Sequence, residues 1–276
     1  MFKILEKKKL NEQVYLIKLE APFIAKKVQA GQFIILRIDE FGERIPLTVE
    51  DFNRDNGTIT IVFQAVGYTT MRLAKMDCGE FLQDVVGPLG CPTEFGDIKK
   101  AIVIGGGVGC AIAYPQAKTL FNMGIETDVI AGFRSKDIVI LEDEMRKVSR
   151  NCYITTDDGT YGEKGFVTDV LKRLIEKEQY DLVIAIGPIP MMKFVAKTTE
   201  SYGIRTLVSL NPIMIDGTGM CGGCRVNVGG EVKFACVDGP DFDGHKVNFD
   251  ELMCRNSFYR NEESEHICRL RGDKNA

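Results

Sequence analysis

Four residues near the carboxyl end of the chain have the types and spacing of a metal site. In a glycine-rich segment, an Asp-x4-Cys-x2-Cys-x11-Cys run comprises Asp216, Cys221, Cys224 and Cys236. Thiolates at such x4 and x2 spacing with a distant fourth ligand hold 2Fe-2S clusters, and here a carboxylate takes the first position. The intervening glycines allow backbone amides to approach a cluster closely. Structural zinc, which also accepts Cys and Asp in C-x2-C sites, is the main alternative, and an incidental pair of loop cysteines is the third.

The composition of the 276 residues limits the class of protein. With 45% hydrophobic and 27% charged residues, the chain is typical of a soluble protein of about two domains. A net charge of −4 argues against a nucleic-acid partner. Because the sequence shows neither a leader-like start nor about 18 consecutive apolar residues, we expect a cytoplasmic protein with no membrane partner. Scattered cysteines indicate reduced thiols, and His245 and His266 offer little basis for histidine-centred catalysis.

The first 97 residues have the pattern of an antiparallel β-barrel. Short runs of alternating or continuous apolar residues are punctuated by turn residues, among them Asp55-Asn56-Gly57. Closely spaced strands joined by hairpins favour a barrel. The predicted strands cover 2–10, 13–21, 31–38, 58–66 and 80–88, with a short helix from Thr69 to Lys75.

The pattern changes at about residue 98. Apolar runs that alternate with helical stretches predict a doubly wound parallel sheet over 98–211, whose ligands bind beyond the carboxyl ends of the strands. The predicted strands are 101–107, 127–133, 152–158, 182–187 and 205–211, and the helices lie near 110–123, 141–149, 165–177 and 190–202. Residues 212–270 are predicted to form a small cluster-bearing module with a C-terminal segment. The final residues 271–276 are expected to be disordered.

A glycine-rich turn directly follows the first strand of this second region and opens a helix. It comprises Gly105, Gly106, Gly107, Val108 and Gly109. Such a turn brings backbone amides and a helix N-terminus close to a phosphate. A tight turn without a ligand is the alternative, because the full G-x-G-x-x-G pattern is not met.

Two further strand ends lie on the same predicted edge of the sheet. Gly187, Pro188 and Met191 follow the fourth apolar run, so a second loop is expected beside the first. Arg134 follows the second run, where an adenosine ribose is read in such folds. Arg134 could meet a 2′-phosphate, and a solvated loop arginine is an equal interpretation.

The predicted barrel contains two candidate ligand segments. Arg44, Pro46, Leu47 and Thr48 place a cation beside a rigid proline and a hydroxyl, a combination that could hold a pyrophosphate and a flat ring; an edge strand with an exposed arginine is the alternative. A second segment begins the short helix and offers hydroxyls and free amides to a phosphate. It comprises Val66, Gly67, Thr69 and Thr70.

Together these motifs resemble the ferredoxin-NADP reductase superfamily. The resemblance implies that Arg44 to Thr48, Gln64 and Val66 to Thr70 hold FAD, that GPLG at 87–90 closes the barrel domain, and that the two glycine loops hold NAD(H). The cysteine run narrows this to the branch of dihydroorotate dehydrogenase electron-transfer subunits. Those subunits have Cys at all four ligand positions. Asp216 looks like the first ligand in small subunits of NADH-dependent reduced ferredoxin:NADP oxidoreductases, also called sulfide dehydrogenase beta subunits.

The resemblance implies an activity without a catalytic side chain. It implies that NADH reduces FAD and that single electrons pass to a 2Fe-2S cluster and then to a larger partner subunit. That subunit is expected to carry its own flavin and iron-sulfur clusters. The two subunits together are expected to react with ferredoxin and to perform electron bifurcation. The alternatives are an electron-transfer subunit of dihydroorotate dehydrogenase and a zinc-stabilised nucleotide-binding regulatory subunit. NAD is favoured over NADP. Two departures remain: Ile186 stands where many relatives have Cys, and neither Phe258 nor Tyr259 can be assigned as a terminal aromatic over the flavin.

Overall fold

A computed structural model of the chain describes residues 1–258. The amino-terminal part is one antiparallel sheet in the order β6-β1-β2-β5-β4-β3-β7. Its strands are β1 (Phe2–Lys9), β2 (Val14–Glu20), β3 (Phe33–Arg37), β4 (Ile45–Asn53), β5 (Thr58–Gln64), β6 (Phe81–Leu82) and β7 (Asp84–Leu89), with the short helices α1 (Pro22–Ala25) and α2 (Tyr68–Leu73).

The sheet curls on itself. Its two edge strands, β6 and β7, are separated in the chain by Gln83 alone, so the two edges must meet. The interior is filled by the apolar residues of the alternating pattern, and Ile17, Leu19, Ile34 and Ile61 are fully buried there. The predicted antiparallel barrel is therefore confirmed.

The second part is a mainly parallel sheet flanked by helices. It contains β8 (Lys100–Gly106), β9 (Glu126–Phe133), β10 (Asn151–Thr156), β11 (Glu163–Lys164), β12 (Leu182–Ile186) and β13 (Arg205–Ser209), with α3 (Gly109–Asn122), α4 (Glu142–Lys147), α5 (Val167–Ile175) and α6 (Ile189–Glu200). The strand order β11-β10-β9-β8-β12-β13 runs outward in both directions from β8. This is the predicted doubly wound sheet, and its switch point lies between β8 and β12.

The remaining described residues begin with the cysteine-bearing loop. They continue with the hairpin of β14 (Arg225–Val228) and β15 (Glu231–Phe234), then β16 (Asp241–Asp243) and α7 (Phe249–Arg255). β16 pairs antiparallel with β13, which returns the chain to the parallel sheet. The division into 1–97, 98–211 and 212–270 stays a prediction. Tyr259, His266 and the tail 271–276 lie outside the described residues.

A buried polar cluster joins these parts of the chain. Gln116 Nε2 of α3 donates to Thr93 Oγ1 at 2.6 Å, and that hydroxyl donates to Asp241 Oδ2 of β16 at 2.5 Å. Desolvation raises the pKa of Asp241 above its ordinary value. Because Thr93 lies on the link from the barrel, the cluster ties the barrel, α3 and β16 together.

None of the helices within residues 1–258 has the length and apolar character needed to cross a membrane.

Candidate functional site

The two predicted nucleotide loops lie against each other at the carboxyl edge of the sheet. A Cβ added to Gly106, the last residue of β8, would lie 2.5 Å from Met191 Sδ and 2.9 Å from Pro188 Cδ. A Cβ on Gly187 would in turn lie 3.0 Å from Gly106 Cα. A side chain at either glycine would therefore require the opposite loop to move. The structure thus brings the two loops together, although 80 residues of chain separate them.

The start of α3 is packed equally closely. A Cβ on Gly109 would lie 2.5 Å from the Ile186 carbonyl oxygen, and one on Gly105 would lie 2.7 Å from Cys110 Cα. Gly107 differs: its φ is +57°, and a Cβ there would meet no atom within 4 Å. The turn therefore presents an open face beside the helix N-terminus, which is the arrangement that binds phosphates.

Arg134 follows β9 on this same edge and is exposed. Among residues 1–258 its guanidinium has no hydrogen-bond or ion-pair partner. Nearby Lys136 instead lies 5.6 Å from the centre of the Tyr161 ring. Arg134 is therefore the cation at this strand end that remains free to contact a nucleotide.

The predicted flavin strand is β4, next to β3 in the barrel. Register pairs Pro46 with Ile35 and Thr48 with Phe33, and Pro46, Leu47 and Thr48 are all half-buried. Half-burial leaves part of this surface for a ligand. Gln64 ends the adjacent strand β5.

The amino-terminal turn of α2 is held by its own hydroxyls. Thr70 Oγ1 accepts hydrogen bonds from the amides of Val66 and Gly67, at 3.1 and 2.9 Å. Thr69 Oγ1 donates to Glu43 Oε2 at 2.7 Å. In this structure both hydroxyls bond to protein atoms, so what the turn offers a phosphate is the amides of its first helical residues. Glu43 belongs to no motif that would have singled it out.

Arg44 connects the barrel to the cysteine-bearing loop. Its Nε donates to the Ile215 carbonyl at 2.8 Å, and its Nη2 lies 3.5 Å from the Asp216 carbonyl. The next residue, Gly217, has a φ of +81° and packs so closely on the barrel that a Cβ would lie 2.8 Å from Ile35 Cδ1. The loop that begins the metal motif thus packs on β3, the neighbour of the predicted flavin strand, and bonds to Arg44. The sequence patterns did not indicate this contact.

The cysteine-bearing loop places two of the predicted ligands together. Cys224 and Cys236 are both buried, with their sulfurs 3.2 Å apart, well beyond the ~2.05 Å of a disulfide. Cys221 is exposed. The Asp216 carboxylate accepts hydrogen bonds from Thr218 and from backbone amides of its own loop, which lower its pKa. Across residues 1–258 no three His, Cys, Asp or Glu side chains converge as a preformed metal site.

The donor set fits an iron-sulfur cluster at the level of chemistry. The loop supplies soft donors in the two adjacent buried thiols of Cys224 and Cys236 and in the thiol of Cys221. The carboxylate of Asp216 is a harder anionic donor. The loop bends at Gly217, Gly219 and Gly222, which have positive φ and carry no Cβ.

The chain is similar to several known proteins. Residues 211–248 match the family model for the iron-sulfur cluster binding domain of dihydroorotate dehydrogenase B. A dihydroorotate dehydrogenase B (NAD(+)) electron transfer subunit homolog of Thermotoga maritima is 44% identical, over 94% of this chain and 92% of the relative. The electron transfer subunit of Fusobacterium nucleatum is 33% identical, over 89% of this chain and 96% of its own. The chain belongs to this family.

A solved structure agrees with the assignment to the dihydroorotate dehydrogenase B electron-transfer family. One chain of the NADH-dependent reduced ferredoxin-NADP oxidoreductase, studied for flavin-based electron bifurcation, is 42% identical, with a TM-score of 0.93 and 98% of each chain covered. The predicted resemblance and the iron-sulfur interpretation of the cysteine-bearing domain are confirmed. The individual ligand residues remain predictions.

Proposed function

We propose that this chain is a cytoplasmic electron-transfer subunit that passes electrons between NAD(H), FAD and a 2Fe-2S cluster to a larger partner subunit. Its assembly is proposed to be an electron-bifurcating NADH-dependent reduced ferredoxin:NADP oxidoreductase, with ferredoxin served by the complex. Support comes from the carboxylate at position 216 and from the 42% identical chain of that enzyme. Its larger subunit is expected to carry its own flavin and iron-sulfur clusters.

The single observation that carries the proposal is the position of β4. At one end, Arg44 just before the strand donates to Ile215 of the cysteine-bearing loop. Further along, Asp51 forms an ion pair with Lys118 of α3 at 2.7 Å. Lys118 lies in the second half of α3, the helix that begins at the predicted nucleotide turn, so the predicted flavin strand contacts both that helix and the cluster loop. This placement suits a flavin that receives electrons from a nicotinamide and passes them to a cluster.

The protein's part in this transfer is to bind and position. The amides at the start of α2 and the half-buried face of β4 would hold FAD. The open face at Gly107 would take a nucleotide phosphate, and Cys221, Cys224, Cys236 and Asp216 would hold the cluster. FAD, when bound, supplies the conversion of a two-electron hydride into single electrons. No side chain is assigned a proton in this step.

An electron-transfer subunit of dihydroorotate dehydrogenase is the second candidate, and the family model over 211–248 favours it. The two candidates differ in the larger subunit. A co-purifying subunit that oxidises dihydroorotate would support the second, whereas one with flavin and several iron-sulfur clusters would support the first.

Anaerobic purification of the chain tests the proposal. We expect FAD, iron and acid-labile sulfide in the protein, flavin and iron-sulfur absorption bands, and bleaching of both by NADH. A colourless protein that contains zinc and no flavin would overturn the proposal in favour of a nucleotide-binding regulatory subunit.

A further inference from the structure

We infer that Arg44 is a positioning residue shared by the flavin site and the cluster, so that occupancy of one stabilises the other. The inference rests on the proposed function, because it requires FAD on β4 and a cluster in the 216–236 loop. It goes beyond that function in assigning one side chain to the coupling between the two sites.

The Arg44 guanidinium contacts the cysteine-bearing loop and keeps further donors available. Arg44 precedes β4 by one residue, and it reaches across 171 positions of sequence to the Ile215 carbonyl, with a second donor near the Asp216 carbonyl. A guanidinium has five N–H donors in a planar fork, of which these contacts use two. Donors on Nη1 remain for a ligand phosphate. One cation can therefore hold the flavin and the loop together.

The same loop packs on the barrel at Gly217. A Cβ on Gly217 would lie 2.8 Å from both Ile35 Cδ1 and Leu89 Cδ1, so the loop backbone packs directly on β3 and β7. Ile35 pairs in register with Pro46 of the predicted flavin strand. The loop that carries Asp216 is thus fixed to the barrel by packing at Gly217 and by hydrogen bonds at Arg44. Because Arg44 bonds to Ile215, the residue next to Asp216, a change in the position of Arg44 also shifts the Asp216 backbone.

The charge of Arg44 is not neutralised by its partners in the loop. In the absence of a phosphate, the Arg44 guanidinium is held by neutral carbonyls, and Ile215 beside it is 55% exposed. A pyrophosphate would add charge-assisted bonds that fix the guanidinium in place. A fixed guanidinium holds the Ile215–Asp216 backbone more firmly, and by reciprocity a loop ordered by its cluster favours flavin binding.

Arg44→Lys separates the two roles. Lysine keeps the positive charge that a pyrophosphate needs, but a single ammonium cannot reproduce a planar fork aimed at two carbonyls and a phosphate. Arg54→Lys is the matched control: Arg54 is also a barrel arginine that donates to a backbone carbonyl, Val28 O at 3.2 Å, and it lies away from the 215–217 loop.

The experiment measures the rate at which a ferrous chelator removes iron from the wild type, Arg44→Lys and Arg54→Lys, each with FAD bound and after reversible removal of FAD. FAD content, iron content and the electron paramagnetic resonance spectrum of the reduced cluster are recorded alongside. In the wild type and in Arg54→Lys, FAD should slow iron loss about tenfold, the effect of one charge-assisted hydrogen bond. In Arg44→Lys, iron loss should be faster in both states, and the protection by FAD should disappear.

Equal iron loss from deflavinated wild type and deflavinated Arg44→Lys would overturn the inference, as would undiminished protection by FAD in Arg44→Lys. The deflavinated comparison decides the matter even if the variant binds FAD poorly. A wild type that purifies without FAD or without iron would instead refute the proposed function, and the inference with it.

Discussion

The carboxylate of Asp216 accepts a hydrogen bond from the backbone amide of Met220, at 3.1 Å from Oδ2 to N. The same oxygen accepts the Thr218 amide at 3.1 Å and the Thr218 hydroxyl at 2.6 Å. The loop between the first two predicted ligands is therefore folded around the Asp216 side chain. This side chain either stabilises the loop through these hydrogen bonds or binds iron. The two roles predict different effects of substituting Asp216.

Substitution of Asp216 by Asn and by Cys distinguishes these roles. Asn keeps an oxygen that can accept the loop hydrogen bonds but loses the anionic charge of a ligand, whereas Cys keeps a ligand and loses those bonds. We expect Asp216→Cys to retain the cluster with a shifted potential, and Asp216→Asn to lose iron to a chelator at least about tenfold faster. Iron and sulfide content and the electron paramagnetic resonance spectrum provide the measurements.

Thr218→Val is the control for that pair, because it removes one hydrogen bond to Asp216 and leaves every predicted ligand in place. A normal cluster in Asp216→Asn together with a lost cluster in Asp216→Cys would assign Asp216 to the loop and not to the iron.

Gly106→Ala should separate the two nucleotide loops. The new Cβ would lie 2.5 Å from Met191 Sδ, so the loops must move apart. Because displacements of about 1 Å can lower rates about a hundredfold, we expect flavin reduction by NADH to need at least about tenfold more NADH, with FAD content unchanged. Stopped-flow absorbance at several NADH concentrations measures this. Met191→Ala in the same chain should restore part of the loss, and identical NADH dependence in Gly106→Ala would refute a nucleotide role for this contact.

Arg134→Ala should leave the reaction with NADH nearly unchanged. The side chain is exposed and free, and NADH has no 2′-phosphate for it to contact. Rates of flavin reduction by NADH and NADPH, compared in wild type and variant, give the answer. If the wild type saturates at lower concentrations of NADPH than of NADH, and the variant loses that preference, then the coenzyme is NADP and Arg134 reads its 2′-phosphate.

Glu50 should make the stability of the fold depend on pH. Its side chain is 5% exposed, and burial, followed by the charge of Asp51, raises the pKa of its carboxyl to about 8. The other charged neighbours are Lys118, Glu144 and Lys18. The pKa of a glutamate in an unfolded chain is about 4.3. Between that pH and about 8, the folded chain therefore retains a proton that the unfolded chain has lost. Stability due to this group therefore falls as pH rises through that interval.

Glu50→Gln should remove this dependence. We expect the variant to match the wild type near pH 4.5 and to unfold several degrees higher at pH 8.5, since about 1 kcal/mol shifts the Tm of a protein of this size by about 2–4 °C. Thermal unfolding followed by circular dichroism at both pH values is the measurement, with exposed Glu40→Gln as the control. A wild type whose Tm at pH 8.5 exceeds that of Glu50→Gln would contradict the raised pKa of Glu50.

Elements with strong periodicity were predicted closely. α3 was expected over 110–123 and spans Gly109–Asn122, because an apolar strand, a glycine turn and a helical pattern follow one another without interruption. The helix expected over 141–149 is shorter, Glu142–Lys147, and it begins after Leu141, whose φ is +57°. Its boundary depends on a backbone conformation that residue type does not indicate for leucine.

Contacts between distant segments were beyond the sequence. β16 has three residues in a polar stretch, too few to show alternation, and it forms only because β13 offers it an edge. The Thr69 hydroxyl, predicted to be available to a phosphate, donates to Glu43 in this structure, a contact between segments 26 residues apart that no local pattern indicates. The glycine loops and the cysteine run could be recognised because their chemistry depends on local spacing; the Arg44 contact could not, because it depends on tertiary placement.

The pairing of β16 with β13 also bears on how the chain can be divided. Without β16, the edge of β13 would present unpaired amides and carbonyls beside buried Leu207 and Val208, a template for strand addition from another molecule. β16 is short and contains Asp241 and Asp243, two features by which natural sheets discourage self-association. A truncation at residue 211 would therefore yield an aggregation-prone fragment, and the cluster-bearing segment cannot be removed as a detachable redox module.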